Sequence, residues 1–229
     1  MTRTLALLSA AVLSTAAHAG VANVAVDQSA APWLGFMNVS DLAGNYQFGS
    51  SWGISDLVAN FDDGASTLTM LPNSIGDPNE YWYQDPTGGG NPNPGGPGAP
   101  GNKIMEANLY QQVDGGLAGT TVTFSGTILS NTFTAEHEAR VFIRDFAADF
   151  SSSVDVFADA TAGAFSISLD TINDSARHVQ WGIQVRGVNV WVTDIAPFGS
   201  VVFATVPTPA SIAMMGAGGL LMSRRRRNA

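Results

Sequence analysis

The chain has 229 residues, 19 acidic against 10 basic, a net charge of −9 and no cysteine. All 19 acids lie between Gly20 and Val206, where Lys103, Arg140, Arg144, Arg177 and Arg186 are the only bases, so that segment carries −14. Such a surface repels phosphate backbones and argues against nucleic acid as a partner, and a chain without cysteine is held by core burial and hydrogen bonds, not by disulfides.

In chain order, Met1-Thr2-Arg3 is a basic start, Leu5–Leu13 an apolar run, and Ala16-Ala17-His18-Ala19 a small-residue site. That order is a signal peptide cleaved between Ala19 and Gly20. The apolar run is too short to span a bilayer and carries no amphipathic period of a buried first helix. Residues 20–205 then have the size of one domain.

Within that domain the apolar period is two. Thr121–Ser125, Phe165–Leu169 and His178–Val185 alternate polar and apolar, the last placing Val179, Trp181, Ile183 and Val185 on one face of a half-buried strand. Thr67–Leu71, Ile104–Gln112, Ala139–Phe146, Val188–Ile195 and Ser200–Thr205 are further strand candidates, separated by turn signals such as Asp114-Gly115-Gly116 and Arg186-Gly187. About eight such strands predict an all-β, two-sheet antiparallel β-sandwich. The Gly/Pro/Asn-rich stretch 86–101 interrupts the pattern and, with no large apolar side chain to anchor it, reads as an exposed, mobile insertion. The competing reading, an interdomain linker, would leave 20–85 without a core of its own.

At the C-terminus Val206-Pro207-Thr208-Pro209 precedes the apolar run Ala210–Met222 and the cluster Arg224-Arg225-Arg226-Arg227. The run is shorter than the roughly 17–25 residues of a spanning helix, and the arginines would snorkel to the cytoplasmic side of the inner membrane. Proline motif, short apolar helix and arginine cluster together resemble the PEP-CTERM sorting signal, with Thr208 where that family has a glutamate. The resemblance implies export, transient anchoring by a short membrane helix, and an exosortase-type processing enzyme as partner. A plain C-terminal anchor is the alternative.

A second resemblance lies in the domain. Leu117–Gly126 looks like the strand entry of jelly-roll carbohydrate-binding modules, Asn189–Ile195 is similar to their final strand with its inward aspartate, and Leu109–Gln112 fits a strand between. It implies a jelly roll that binds extracellular polysaccharide at the cell surface or in its matrix. Sugar recognition needs planar aromatics to stack on sugar faces, and Tyr81-Trp82-Tyr83 is the leading candidate, since three consecutive aromatics cannot all face one core. Trp33 and Trp52 are further candidates, while Trp181 and Trp191 read as core or half-core. Aromatics stapling a sandwich edge are the alternative for each. Asp145, Asp149, Asp155 and Asp159 offer oxygens of the kind calcium prefers, but in no calcium-loop spacing, and read as a solvated acidic loop. Glu136-His137-Glu138 places a base between carboxylates without a motif for hydrolysis, and no phosphate loop or nucleophile elbow is present, so the reading is non-catalytic. A structural or adhesive protein without a glycan is the rival; a polysaccharide-processing enzyme would need a cleft with two close carboxylates.

Overall fold

The computed structural model describes residues 20–85 and 94–207. Over these the chain is strand and connecting turn, with a single helical turn at Ala196–Phe198. Among the described residues no helix is long and apolar enough to cross a membrane. The signal helix expected at 1–19 and the tail from Thr208 onward, including Pro209 and Arg224–Arg227, lie outside them.

Two sheets form a sandwich. The first contains β1 (Val21–Val24), β4 (Ala59–Asp62), β5 (Thr67–Met70), β8 (Thr121–Asn131), β11 (Gly163–Asp170) and β14 (Val201–Ala204). Its pairings are antiparallel except β1, which runs parallel to β8. The second is antiparallel throughout and runs in the order β10 (Ser153–Asp159), β9 (His137–Phe146), β12 (His178–Val188), β7 (Lys103–Asp114), β2 (Leu34–Asp41), β3 (Tyr46–Ser51). A short parallel pair, β6 (Ser74–Ile75) and β13 (Val190–Trp191), closes one end.

The period-two pattern places the core. Val122, Phe124 and Ile128 of β8, Leu68 and Met70 of β5 and Phe203 of β14 form one buried cluster with Met37, Met105, Leu109, Val141, Ile143 and Ile183 of the second sheet. Each such side chain contributes about 1.5–3 kcal/mol when fully buried. β12 departs from the half-buried strand expected. It is hydrogen-bonded to β7 on one edge and β9 on the other, and Gln180 and Gln184, on the face away from the core, are buried too. Of the candidate Val188–Ile195, Val188 ends β12 and Val190–Trp191 is a short strand, after which the chain turns, Asp194 N–H donating to the Trp191 carbonyl.

Of the insertion, residues 86–93 lie outside the described residues, and Pro94–Gly101 is seated on the fold, not exposed throughout as expected. Gly95 N–H donates to the Pro78 carbonyl, Gly98 N–H to Asp194 Oδ2, and Ala99 packs against the core. Gly101 lies so close to Asn189 that an added Cβ would meet its carbonyl oxygen at 2.0 Å, so only glycine fits. Asn189, itself buried, holds this end together: its Oδ1 accepts from the N–H groups of Asn102 and Lys103, and its Nδ2 donates to the Trp82 carbonyl. At the C-terminal boundary the sheet bonding continues to Val206, which pairs with Asp27 beyond β1.

The four aspartates expected in one acidic loop are dispersed. Asp145 is on β9 and 1% exposed, accepting from Arg177 Nε at 2.8 Å and from the Ile172 N–H at 2.8 Å, while the Arg177 Nη2 donates to the Asp145 carbonyl. Asp149 caps a turn through Ser151, and Asp155 and Asp159 are on β10. The Asp145 carboxylate is therefore committed to a buried ion pair. Replacing it by alanine strands the guanidinium and the Ile172 N–H, and a loss of about 3–5 kcal/mol is expected in urea unfolding. A change within about 0.5 kcal/mol would be that of an ordinary surface position.

Candidate functional site

Alternate residues of β7, β9 and β12 face away from the core, and the register aligns them in rows across the second sheet. Gln112, Gln180, Arg144 and Asp155 form one row; Tyr110, Gly182, Phe142 and Phe157 the next; Asn108, Gln184, Arg140 and Asp159 the third. Gly182 leaves a dip in the middle row, where a Cβ would meet the Leu109 carbonyl oxygen at 2.1 Å. Over the first row, with Tyr110 and Asn108 of the other two, runs a groove of about 700 Å³, reaching from Tyr46 and Ser51 of β3 to Ser153 and Asp155 of β10.

Its floor holds two hydrogen-bonded sets of amides. Gln180 Nε2 donates to Gln112 Oε1 at 2.7 Å, and Gln112 Nε2 donates to Asp114 Oδ1 at 2.7 Å. Asn108 Oδ1 accepts both from Gln184 Nε2 and from Arg144 Nη1, each at 3.0 Å. Arg144 lies over the rings of Phe142 and Phe157, 4.5 and 5.1 Å from their centroids. Burial pushes its pKa down, with Asp155 and Glu106 acting the other way through space. Among the described residues no carboxylate is within ion-pairing distance of it, and the bond to Asn108 is the one it donates. A guanidinium has five N–H donors, so most of its capacity is left for the groove. Phe36, Tyr46, Tyr110, Phe146 and Phe150 supply the apolar walls. Donors, acceptors and ring faces thus alternate within one cleft, which is the chemistry needed to hold hydroxyl groups on an otherwise apolar ring.

The aromatic triplet lies elsewhere, and none of its members lines this groove. Tyr83 is 0% exposed, its hydroxyl donating to the Ile75 carbonyl and lying 3.1 Å from that of Val190; burial pushes its pKa up to about 12. It offers no stacking face, because the turn at Asn79–Tyr83 carries its ring inward to the carbonyls of β6 and β13. Tyr81, 38% exposed, carries the Lys103 ammonium 4.2 Å above its ring and meets Trp82 edge to face, while Trp82 is partly buried against Phe48. Trp33 is buried, its Nε1 donating to the Gln28 carbonyl, and Trp52 is half-buried, bonded to Ser50 Oγ.

The Glu136-His137-Glu138 segment is structural. His137 is buried between Phe133 and Phe198 with Nε2 3.0 Å from the Val188 carbonyl, and burial pushes its pKa down, keeping it neutral. Glu138 is shared by Arg140 at 3.2 Å and Arg186 at 3.5 Å. The groove escaped the sequence reading because its residues come from six strands. The signal available was the polar half of each alternation: Gln180 and Gln184 in β12, Asn108, Tyr110 and Gln112 in β7.

No family model matches the chain, and no curated protein matches it. Among solved structures it is similar to a CBM61 carbohydrate-binding module in complex with β-1,4-galactotriose, at 10% identity over 76% of this chain and 83% of that one, TM-score 0.33. It is also similar to a carbohydrate-binding module of the β-sandwich superfamily studied for promiscuous specificity, at 15% identity over 75% and 72%, TM-score 0.32. The sandwich itself is established by the chain's own strand pairings.

These placements separate the triplet's members. Tyr83→Ala is expected to cost about 3–5 kcal/mol of stability, as for other buried rings, and Tyr81→Ala less than about 1 kcal/mol. Thermal melts of the two variants check this, and equal losses would contradict the buried and exposed assignments.

Proposed function

We propose that this is an exported, non-catalytic surface or matrix protein that binds an uncharged polysaccharide chain in the groove of its second sheet. The observation that carries the reading is the amide floor of Asn108, Gln112 and Gln180 beside Arg144, walled by aromatic rings, with Gln184 holding Asn108 from beneath. Amides fixed by mutual hydrogen bonds retain further donors and acceptors for sugar hydroxyls, and ring faces take the apolar faces of the sugar. The −14 of the segment between Gly20 and Val206 favours an uncharged polymer over an acidic one. Among the described residues a single carboxylate, Asp155, lines the groove, whereas glycoside hydrolysis uses a pair. Export and sorting rest on the sequence at the two ends: the basic, apolar and small-residue order before Gly20, and the proline, apolar and arginine order after Thr205. In this reading an exosortase-type enzyme removes the tail after transient anchoring in the inner membrane.

Isothermal titration with neutral gluco-, xylo-, manno- and galacto-oligosaccharides tests the groove. The double variant Gln112→Ala/Gln180→Ala removes both members of one amide pair, so neither is orphaned by the other's loss. It should stay folded and bind at least about tenfold more weakly, equivalent to about 1.4 kcal/mol. Tyr81→Ala/Trp82→Ala should bind as the unaltered protein does; the opposite pattern would move the site to the triplet, and no binding across the panel would favour the structural or adhesive rival.

Mass spectrometry of protein recovered from its native host tests the sorting. A mature N-terminus at Gly20 and loss of Arg224–Arg227 are expected. Uniform retention of the four arginines would contradict the sorting assignment.

A further inference from the structure

Beside the groove floor, His178 has two hydrogen-bond acceptors facing its two ring nitrogens. Nδ1 lies 2.7 Å from Asp114 Oδ1, and Nε2 lies 3.2 Å from the Ala148 carbonyl oxygen. A carboxylate and a carbonyl can only accept, so the two bonds are made together when both nitrogens carry protons, that is, by the imidazolium. Phe150 lies flat on that ring, centroids 4.3 Å apart and planes 7° from parallel, an arrangement favoured by the positive charge. Ala148 and Phe150 belong to the connection between β9 and β10, and Phe146, Phe150 and Ser153 at its two ends and tip form the end wall of the groove. Phe150 itself sits at φ 58°, in the left-handed region that a bulky residue adopts only when held there.

We propose that His178 is a pH-operated pin on the ligand groove: protonated, it clamps the β9–β10 connection and its Phe150 wall against the sheet, and deprotonated it releases them. The ligand-binding consequence rests on the groove reading above; the pin does not.

The direction of the effect follows from which bond is lost. Asp114 makes the stronger, charge-assisted bond, so a neutral ring keeps its proton on Nδ1. Nε2 then turns a lone pair toward the Ala148 carbonyl, which opposes the contact, and the attraction of the ring for Phe150 falls with the charge. The hydrogen bond to Asp114 holds the imidazole pKa above its ordinary value, burial opposing it and the Ala148 carbonyl adding to it. A pKa raised on folding gives a contribution complete below the unfolded value and lost as pH rises through the folded one. The wall is therefore held in mildly acidic solution and freed in mildly alkaline solution.

The other charged groups around His178 are committed. Asp149, in the same connection, accepts from Ser151; Arg177, the preceding residue, is turned to Asp145; Asp174 accepts from the Ala176 N–H; Arg144, on the neighbouring strand, lies on Phe142. Asp114 is the partner that acts on it by charge. Asp114 also accepts from Gln112, which accepts from Gln180, so a continuous chain of hydrogen bonds joins the titrating ring to the groove floor.

Hydrogen exchange of the full-length protein, corrected for intrinsic rates, reads the pin directly. Between about pH 5.5 and about pH 8.5 the amides of Ala147–Ser152 should exchange about tenfold faster at the higher value, while β12 stays protected. His178→Phe keeps a ring on Phe150 without a proton, and should exchange fast at both pH values with no slope. Asp114→Asn should move the midpoint to lower pH, and serves if the phenylalanine variant fails to fold. A flat profile in the unaltered protein, or an unaltered slope in His178→Phe, overturns the pin. Titration with the same neutral oligosaccharides should give weaker binding at the higher pH, and pH-independent affinity beside a pH-dependent wall overturns the link to the groove. Absence of binding at every pH counts against the glycan reading and leaves the exchange profile to decide the pin.

Discussion

β12, in the middle of the second sheet, is buried on both faces, yet only one of those faces meets the apolar core, and the rest of the structure follows from how the other is satisfied. On the core side Val179, Trp181, Ile183 and Val185 are satisfied by hydrophobic burial. On the other side Gln180 and Gln184 are removed from water as thoroughly, and a buried amide without partners is costly. They are paired with Gln112 and Asn108, residues that the β7–β12 register sets directly opposite. One register therefore fixes both the core and the floor of the groove, and a slip of one residue would exchange them.

The groove's chemistry is a consequence of the same arrangement. Because the amides satisfy each other within the sheet, they are oriented before any ligand arrives, and little ordering remains to oppose binding. Arg144 follows the same logic with a charge. Its guanidinium is supported on Phe142 and Phe157 and anchored by Asn108, with Asp155 and Glu106 acting on it from beyond ion-pairing distance. A cation balanced at a distance by two acids suits a ligand whose hydroxyls both donate and accept. The His178–Asp114–Gln112–Gln180 chain then connects that floor to the end wall, so the position of Phe150 and the orientation of the amides are physically linked.

The fold class was legible because strand alternation survives wherever one face is polar, as in Thr121–Ser125 and Phe165–Leu169, which lie on the exposed-faced first sheet. β2 and β10 were not read as strands. In Leu34-Gly35-Phe36 a glycine stands on the core side and an aromatic on the groove side, which inverts the expected pattern; in β10 the groove-side Asp155 and Asp159 resemble a loop. Gln180 and Gln184 looked like a solvent face because sequence alternation cannot tell exposure from burial in a polar groove. The aromatic triplet misled for the opposite reason: consecutive aromatics imply an exposed ring, and Tyr81 is one, but the turn beginning at Asn79 carries Tyr83 into a buried, fully bonded position. The buried pair of Asp145 with Arg177 joins residues on different strands and turns, a separation no local motif encodes.

In the proposed reading the amide-floored face of the second sheet is the recognition surface. Amide chemical-shift mapping of the isotopically labelled protein, titrated with a neutral oligosaccharide, tests it most directly. Shifts are expected to concentrate on Asn108, Tyr110, Gln112, Arg144 and Gln180, with the strands of the first sheet unmoved. Shifts centred on Tyr81 and Trp82, or on β8 and β11, would contradict it.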